Sequence, residues 1–175
     1  TKSIIKYEFP ARKFRENFPQ VAWYGKTLPP VTVYWYDGGY MPPRPNGVPE
    51  TEQLGEGANG SYFVGESGIV TTGCYGNDTR LVPATQNAQI KKPDPFIPRI
   101  PGGSPHAEWI AAIKEGRQPG SNFNYAGPLT EMVLLGNVAV RAGVKLEWDP
   151  VALRIPNCPD AERFLRREPR RGWRV

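Results

Sequence analysis

The sequence predicts an α+β fold: an open, largely antiparallel (mixed) β-sheet with helices packed on one face, in two layers. Strand-like segments come first along the chain and helix-like segments come later, which is the order typical of this class. The length of 175 residues fits one domain, because about 100–200 residues per domain is usual. Five Trp, eight Tyr and seven Phe supply enough large apolar groups for a core, despite 20 Pro and 19 Gly. We therefore expect residues 1–175 to form a single domain.

The predicted strands rest on alternation and on β-branched or aromatic runs. In residues 3–9, Ile5, Tyr7 and Phe9 share one face, and Pro10 ends the strand. Residues 31–36 are all β-branched or aromatic, and a turn follows at Asp37. The remaining predictions are a hairpin of residues 61–64 and 69–72 around a four-residue connection, a short strand at 80–83 and an alternating strand at 144–148.

Three stretches are predicted to be irregular. Residues 11–30 show no period, and residues 41–60 form a long loop rich in proline and glycine. The prolines between residues 91 and 103 favour an extended backbone that runs over the surface.

The helices are predicted from their ends. Ser104 caps the first helix, Pro105 occupies its first position, and Gly116 ends it. The second helix is expected to open near Gly127-Pro128 and to stop at Gly143. Because it is apolar nearly all round, we expect it to be buried. A last short helix is expected near residues 160–167.

Composition argues against several classes of function. No apolar run approaches the roughly 18–20 residues that span a bilayer, so no membrane partner is expected. One His and two Cys do not make a zinc site of the usual kind, and Cys74 and Cys158 are expected to be free structural thiols. Residues 160–175 carry six Arg against three acidic residues, but apolar side chains interrupt the run. We expect this tail to dock on its own domain without binding nucleic acid, and a polyanion site is the alternative.

Catalytic motifs are missing or misplaced. Residues 55–60 match G-x-G-x-x-G, but a strand-like segment follows where a dinucleotide fingerprint needs a helix, so a flexible loop is predicted. His106 is the only imidazole, and no Gly-x-Ser-x-Gly elbow accompanies it. The carboxylates of Glu50, Glu52, Glu108, Glu131 and Glu147 are scattered, and most of them are expected to be solvated. No catalytic residue is assigned.

Two groups of residues suit a polyhydroxylated ligand. His106 lies at the start of one predicted helix, and Asn122, Asn124 and Tyr125 precede the other, where side chains can donate and accept hydrogen bonds. Trp35 and Tyr36 near a turn are candidates for stacking on a sugar. The structural alternatives are that the asparagines cap the helix, that His106 closes a helix start, and that the aromatics belong to the core.

Several segments together resemble the C-terminal part of bacterial Gfo/Idh/MocA-type oxidoreductases, the relatives of glucose-fructose oxidoreductase and inositol dehydrogenase. The resemblance covers nearly the whole chain in order, and its most specific part is NFNYAGPLTEMVLLGNVAVRAGVKLEWDP at 122–150. The other segments are SIIKYEF (3–9), VTVYWYDGG (31–39), YFVGESGIV (62–70), HAEWIAAIKEGRQP (106–119) and LRREPRRGW (165–173).

The resemblance implies an N-terminal Rossmann domain that binds NAD or NADP, followed by a C-terminal domain whose sheet helps to form the substrate cleft and an oligomer interface. The family's Glu-Lys-Pro and Asp-x-x-x-His motifs do not occur in this sequence. It therefore implies that this chain is most of the C-terminal domain of an enzyme acting on a sugar or polyol, binds no cofactor itself, is inactive alone and forms a homo-oligomer. A stand-alone carbohydrate-binding module is the alternative, and a cytoplasmic and a periplasmic location both remain open.

Overall fold

The computed structural model describes residues 2–13, 26–91, 94 and 99–173. It confirms the predicted α+β class, with helices and open antiparallel sheets. The strands of the described residues are β1 (Ser3–Phe9), β2 (Arg12–Lys13), β3 (Thr27–Leu28), β4 (Val31–Asp37), β5 (Ser61–Gly65), β6 (Gly68–Thr72) and β7 (Arg80–Val82). The α-helices are α1 (Pro105–Glu115) and α2 (Phe123–Ala142), and 3-10 helices cover Ala84–Gln89, Pro101–Gly103 and Pro159–Phe164.

The strands are distributed over three small sheets. β1 pairs with β4, β2 pairs antiparallel with β3, and β5, β6 and β7 form an antiparallel meander in that order. The predicted hairpin is confirmed, but Gly65 pairs with Gly68, so its connection is two residues long instead of four. Each strand gains one pairing position because glycine brings no side chain into the tight turn.

The chain divides into two compact units, one of residues 1–2 and 36–96 and one of residues 3–35 and 97–175. In the first unit the predicted loop at 41–60 is held by side chains that bond to its backbone. The Arg44 guanidinium donates to the carbonyls of Pro49 (2.9 Å) and Glu52 (2.8 Å). The buried Thr71 hydroxyl accepts from the Gly55 N–H (2.8 Å) and donates to the Ser61 carbonyl (3.0 Å).

The second unit is built on α2. Val138 packs with Ile155 and Ala161, and partly buried side chains surround this cluster, among them Trp148, Phe164 and Leu165. On the same helix, Gly136 faces β1, where a Cβ atom would overlap the Tyr7 hydroxyl and lie 3.1 Å from Ile5 Cδ1. Glycine at this position lets β1 approach the helix closely.

Two expectations for α2 are wrong. The helix begins at Phe123, before the predicted Gly127-Pro128, because Asn122 supplies the cap and Pro128 is accommodated in the second turn. Apart from Gly136 and Val138, none of its residues with described side chains is buried, and Leu129, Val133, Leu134 and Val140 are exposed. An all-round apolar pattern shows that a helix can be buried, whereas its actual burial depends on what packs against it.

The predicted strand at 144–148 is also wrong, because this segment is irregular. The Asn157 side chain bonds to the backbone of this segment: it accepts from the Glu147 N–H (2.8 Å) and donates to the Lys145 carbonyl (3.0 Å). These are the groups that a neighbouring strand would otherwise pair with.

The predictions for the irregular stretches have mixed outcomes. Residues 11–30 contain the short β2–β3 pair, while the rest of that prediction at 14–25 lies outside the described residues. In the proline-rich stretch, residues 92–93 and 95–98 also lie outside the described residues. This stretch ends in a 3-10 turn at Pro101–Gly103. The short helix expected near 160–167 is the 3-10 helix at Pro159–Phe164.

Candidate functional site

The start of α1 is built as the sequence predicts. Ser104 is the N-cap, its side chain accepts from the Ala107 N–H (3.2 Å), and Pro105 is the first helical residue. Gly116 ends the helix in the left-handed conformation, with φ of 65°. These caps place His106 in the first turn, where its side chain is exposed.

The start of α2 is organised by Asn122. Its side-chain oxygen accepts from the Asn124 N–H (3.0 Å), and its side-chain nitrogen donates to the Pro119 carbonyl (3.0 Å). Both ends of this amide are therefore engaged within the protein, as the capping alternative expects. Asn124 and Tyr125 follow directly and are exposed, and the neighbouring Phe123 side chain is 89% exposed.

Glu108 holds the connection between these two helix starts in place. The sequence did not single it out for this role. Glu108 Oε1 accepts from the Gly120 N–H (2.8 Å) and lies 3.4 Å from the Arg117 guanidinium. The Glu108 side chain is only 11% exposed, so it is an exception to the expectation that most of the carboxylates are solvated. Arg117 also bonds Glu115, and this hydrogen bond, with a smaller contribution from Glu108, raises the pKa of Arg117.

Glu131 likewise differs from the expectation of a solvated carboxylate. Its side chain accepts from Trp148 Nε1 (2.8 Å) and thereby ties α2 to the irregular segment that follows it. Neither contact is visible in the sequence, because each joins residues 12 or 17 positions apart through the fold. The available signal is a carboxylate in the first turn of a helix for Glu108, where a negative charge is favourable.

The aromatic candidates alternate along β4. Trp35 is 54% exposed and Tyr36 is half-buried. Adjacent residues of a strand point to opposite faces, so Trp35 and Tyr36 do not present their rings on one surface. Tyr40, beyond the turn, has the Lys2 ammonium 5.3 Å from its ring centroid.

An open groove of about 660 Å3 lies along α2, and the sequence did not reveal it because the helix was expected to be covered. The Arg141 guanidinium lies 4.4 Å from the centroid of the Phe164 ring at this groove. Its apolar lining comes from α2 and from the segment after it, and includes Phe123, Leu134, Leu135, Val138, Trp148, Leu153, Phe164 and Leu165.

The G-x-G-x-x-G segment has the context that the sequence predicts. The loop from Gly55 closes through a hydrogen bond from the Glu56 N–H to the Asn59 carbonyl (2.9 Å), and β5 begins at Ser61. A dinucleotide fingerprint requires a helix N-terminus at this point to receive the pyrophosphate. This loop therefore does not fit that cofactor.

Metal sites and membrane spans are both missing from the described residues. They contain no group of three or more His, Cys, Asp or Glu side chains that could hold a metal ion. In the same part of the protein, no α-helix combines the length and hydropathy needed to cross a membrane.

Comparison with models of known protein families and with curated proteins gives no match for this chain.

Proposed function

We propose that this chain is the substrate-binding and subunit-contact domain of an NAD(P)-dependent oxidoreductase that acts on a sugar, a polyol or a derivative of one. The observation that carries the proposal is the pair of helix starts joined by one anchored connection. They expose an imidazole at His106 and an amide and a phenol at Asn124 and Tyr125. The resemblance of residues 122–150 to the Gfo/Idh/MocA-type enzymes supports the same function.

The chemistry of these groups suits a polyol. A hydroxyl group both donates and accepts hydrogen bonds, and imidazole, amide and phenol side chains meet both requirements. The exposed Phe123 ring adds an apolar face on which C–H groups of a sugar can pack. Because Glu108 and Asn122 hold the connection and the helix start, the exposed groups are positioned before a ligand arrives, which lowers the entropy cost of binding.

The residues of this chain are proposed to orient the substrate and not to carry the redox step. A nicotinamide cofactor would supply hydride transfer. The proposal assigns it to the Rossmann domain that the resemblance implies, and the Gly55–Gly60 loop of this chain does not offer the helix N-terminus that it would need. No catalytic residue is assigned to this chain.

The sheet surfaces support the proposed subunit contacts. Ile4 of β1, Val31 and Tyr34 of β4 and Phe63 of β5 are exposed large apolar residues. The resemblance implies an oligomer interface on the sheet, and these exposed side chains are available for one, so we propose a homo-oligomer. Light scattering of the full-length protein should give a dimer or a larger assembly, and a strict monomer at high concentration would contradict this part of the proposal.

The activity test uses the full-length protein encoded by the gene. It is incubated with NAD or NADP and a panel of aldoses, polyols and amino or acidic sugars, while reduced cofactor is followed by absorbance. Turnover with members of the panel supports the proposal. In a parallel titration, the present chain should not bind NADH or NADPH, and micromolar binding would contradict the assignment of the cofactor to another domain.

The second candidate, a stand-alone carbohydrate-binding module, is favoured by the exposure of Trp35. It predicts that the present chain alone binds soluble oligosaccharides with a change in tryptophan fluorescence, and that Trp35→Ala abolishes this change. Under the first proposal the isolated chain binds oligosaccharides weakly, and Trp35→Ala leaves turnover of the full-length enzyme intact.

A further inference from the structure

The sequence contains two Asn-Gly dipeptides, Asn46-Gly47 and Asn59-Gly60, and both lie in exposed loops of the first unit. They share the same covalent chemistry, so any difference in their reactivity must come from the fold. Each dipeptide serves as the internal reference for the other.

An Asn-Gly dipeptide can rearrange without an enzyme. The backbone nitrogen of the glycine loses its proton and attacks the carbonyl carbon of the asparagine side-chain amide. A new C–N bond closes a five-membered imide, the original C–N bond of that amide breaks, and ammonia leaves with the proton. Water then opens the imide at one of its two carbonyls, giving aspartate or isoaspartate. Glycine favours the attack because it has no Cβ to block the nitrogen or to restrict rotation.

In Asn46-Gly47, the backbone nitrogen of the glycine is free to approach the side-chain carbonyl carbon of the asparagine. The dipeptide occupies the centre of a turn closed by one long hydrogen bond, from the Val48 N–H to the Pro45 carbonyl (3.3 Å). Within the described part of the protein, no hydrogen bond holds the Asn46 side chain, the Asn46 carbonyl or the Gly47 N–H. A Cβ built on Gly47 would meet nothing within 4 Å. The peptide between the two residues can therefore rotate without breaking a hydrogen bond of its own, and the space beside Gly47 is open.

Asn59-Gly60 is confined. The Asn59 carbonyl accepts from the Glu56 N–H (2.9 Å), so rotating the peptide between Asn59 and Gly60 breaks a hydrogen bond. Gly60 is packed so closely that a Cβ would lie 2.5 Å from the Thr72 carbonyl oxygen and 2.7 Å from Gly55 Cα. The next residue, Ser61, already pairs with Thr72 in the β5–β6 ladder. Attack here requires local opening of the loop.

We infer that Asn46 is a site of spontaneous deamidation in the folded protein and that Asn59 is protected. Conversion of Asn46 lowers the formal net charge of +5 by one. Isoaspartate also inserts an extra backbone atom two residues before Val48, one of the few buried apolar side chains of the first unit. The modification thus changes the backbone next to a buried residue of the 41–60 loop.

The test follows both asparagines in one sample of the purified protein. The native protein is kept at mildly alkaline pH, digested at intervals and mapped by mass spectrometry, with Asp and isoAsp peptides separated. We expect Asn46 to deamidate at least about fivefold faster than Asn59, in keeping with the backbone hydrogen bond that Asn59 must break. At mildly acidic pH both rates should fall, because the glycine nitrogen must lose a proton.

Two controls identify the cause. In concentrated urea the two rates should converge, because the fold no longer distinguishes the sites. Asn46→Gln should remove the fast phase, since glutamine does not form the five-membered ring, whereas Asn59→Gln should leave it in place. Equal native rates, or faster conversion of Asn59, would overturn the inference, and so would a difference that persists in urea.

Discussion

The two compact units are stabilised by different interactions. In the unit of residues 36–96, directed hydrogen bonds hold the loops: Arg44 and Arg80 donate to loop carbonyls, and Thr71 joins Gly55 to Ser61. In the unit that contains α2, the centre is the apolar cluster of Val138, Ile155 and Ala161. The first unit therefore depends on backbone geometry and polar partners, and the second on how closely its surfaces pack.

This difference has a functional side. The unit held by polar hydrogen bonds contains the long 41–60 loop, whereas the unit with the apolar cluster carries the proposed substrate groups at the capped starts of α1 and α2. Binding groups on helices are positioned more firmly than groups on loops. We therefore expect the same type of substitution to have different effects in the two units.

The largest effect is expected for Gly60→Ala in the first unit. The new Cβ would meet the Thr72 carbonyl oxygen at 2.5 Å, and Gly60 has φ of +120°. Steric overlap and backbone strain together should lower the free energy of unfolding by about 3 kcal/mol. Gly57→Ala is the matched control, because its φ of +97° imposes strain while nothing lies within 4 Å. Urea denaturation should therefore show the control losing clearly less. Equal losses would mean that the close approach of β6 is not important.

In the second unit, Gly136→Ala is expected to be about 2 kcal/mol less stable than Gly127→Ala, because both gain the helix propensity of alanine and only the first overpacks. The new methyl group would overlap the Tyr7 hydroxyl and lie 3.0 Å from Tyr7 Cζ. Gly127→Ala on the same helix has open space and serves as the control. The unfolding midpoint in urea reports both variants. If Gly136→Ala is as stable as the control, β1 does not pack on α2 as described.

A smaller effect is expected at the start of α2, where the second unit also uses a directed hydrogen bond. Asn122→Ala removes the cap on the Asn124 N–H and should lower stability by about 1 kcal/mol. Asn122→Ser keeps a capping oxygen and should retain most of that stability. Thermal unfolding of both variants measures the capping contribution. If the serine variant is no more stable than the alanine variant, the side-chain oxygen of Asn122 does not stabilise the helix start by capping.

The smallest effect concerns pH. Hydrogen bonds from the ammonium groups of Lys145 and Lys6 lower the pKa of Glu8 to about 2 from its usual 4.5. Because the folded-state pKa lies below the unfolded one, the contribution of Glu8 to stability is present above pH 4.5 and is lost as the pH falls toward 2. Glu8→Gln should make the unfolding midpoint fall slightly less as the pH is lowered from 4.5 toward 2, and added salt should have the same effect. If the pH dependence of the midpoint is the same in the variant, these ion pairs do not stabilise the fold.

Local signals in the sequence predicted local structure well. Ser104, Pro105 and Gly116 fixed both ends of α1, and the glycines at 65 and 68 marked the hairpin. The failures involve residues distant in sequence. Asn157 takes the backbone partners of residues 145 and 147, so no strand forms there. Glu108 accepts a hydrogen bond from the Gly120 N–H, and neither residue type predicts that contact. Whether the apolar surface of α2 is covered depends in the same way on its neighbours.

The proposed substrate role is tested most directly by the steady-state kinetics of the full-length enzyme with both substrates varied, for wild type and Tyr125→Phe. Tyr75→Phe is the control, because that tyrosine is 95% exposed in the other unit. We predict that Tyr125→Phe lowers kcat/KM for the sugar about tenfold, corresponding to roughly 1.4 kcal/mol of transition-state stabilisation. The KM for the nicotinamide cofactor and the kinetics of the control should not change. A kcat/KM for the sugar that stays within about threefold of wild type, or a change confined to the cofactor KM, would contradict the claim that this chain holds the substrate.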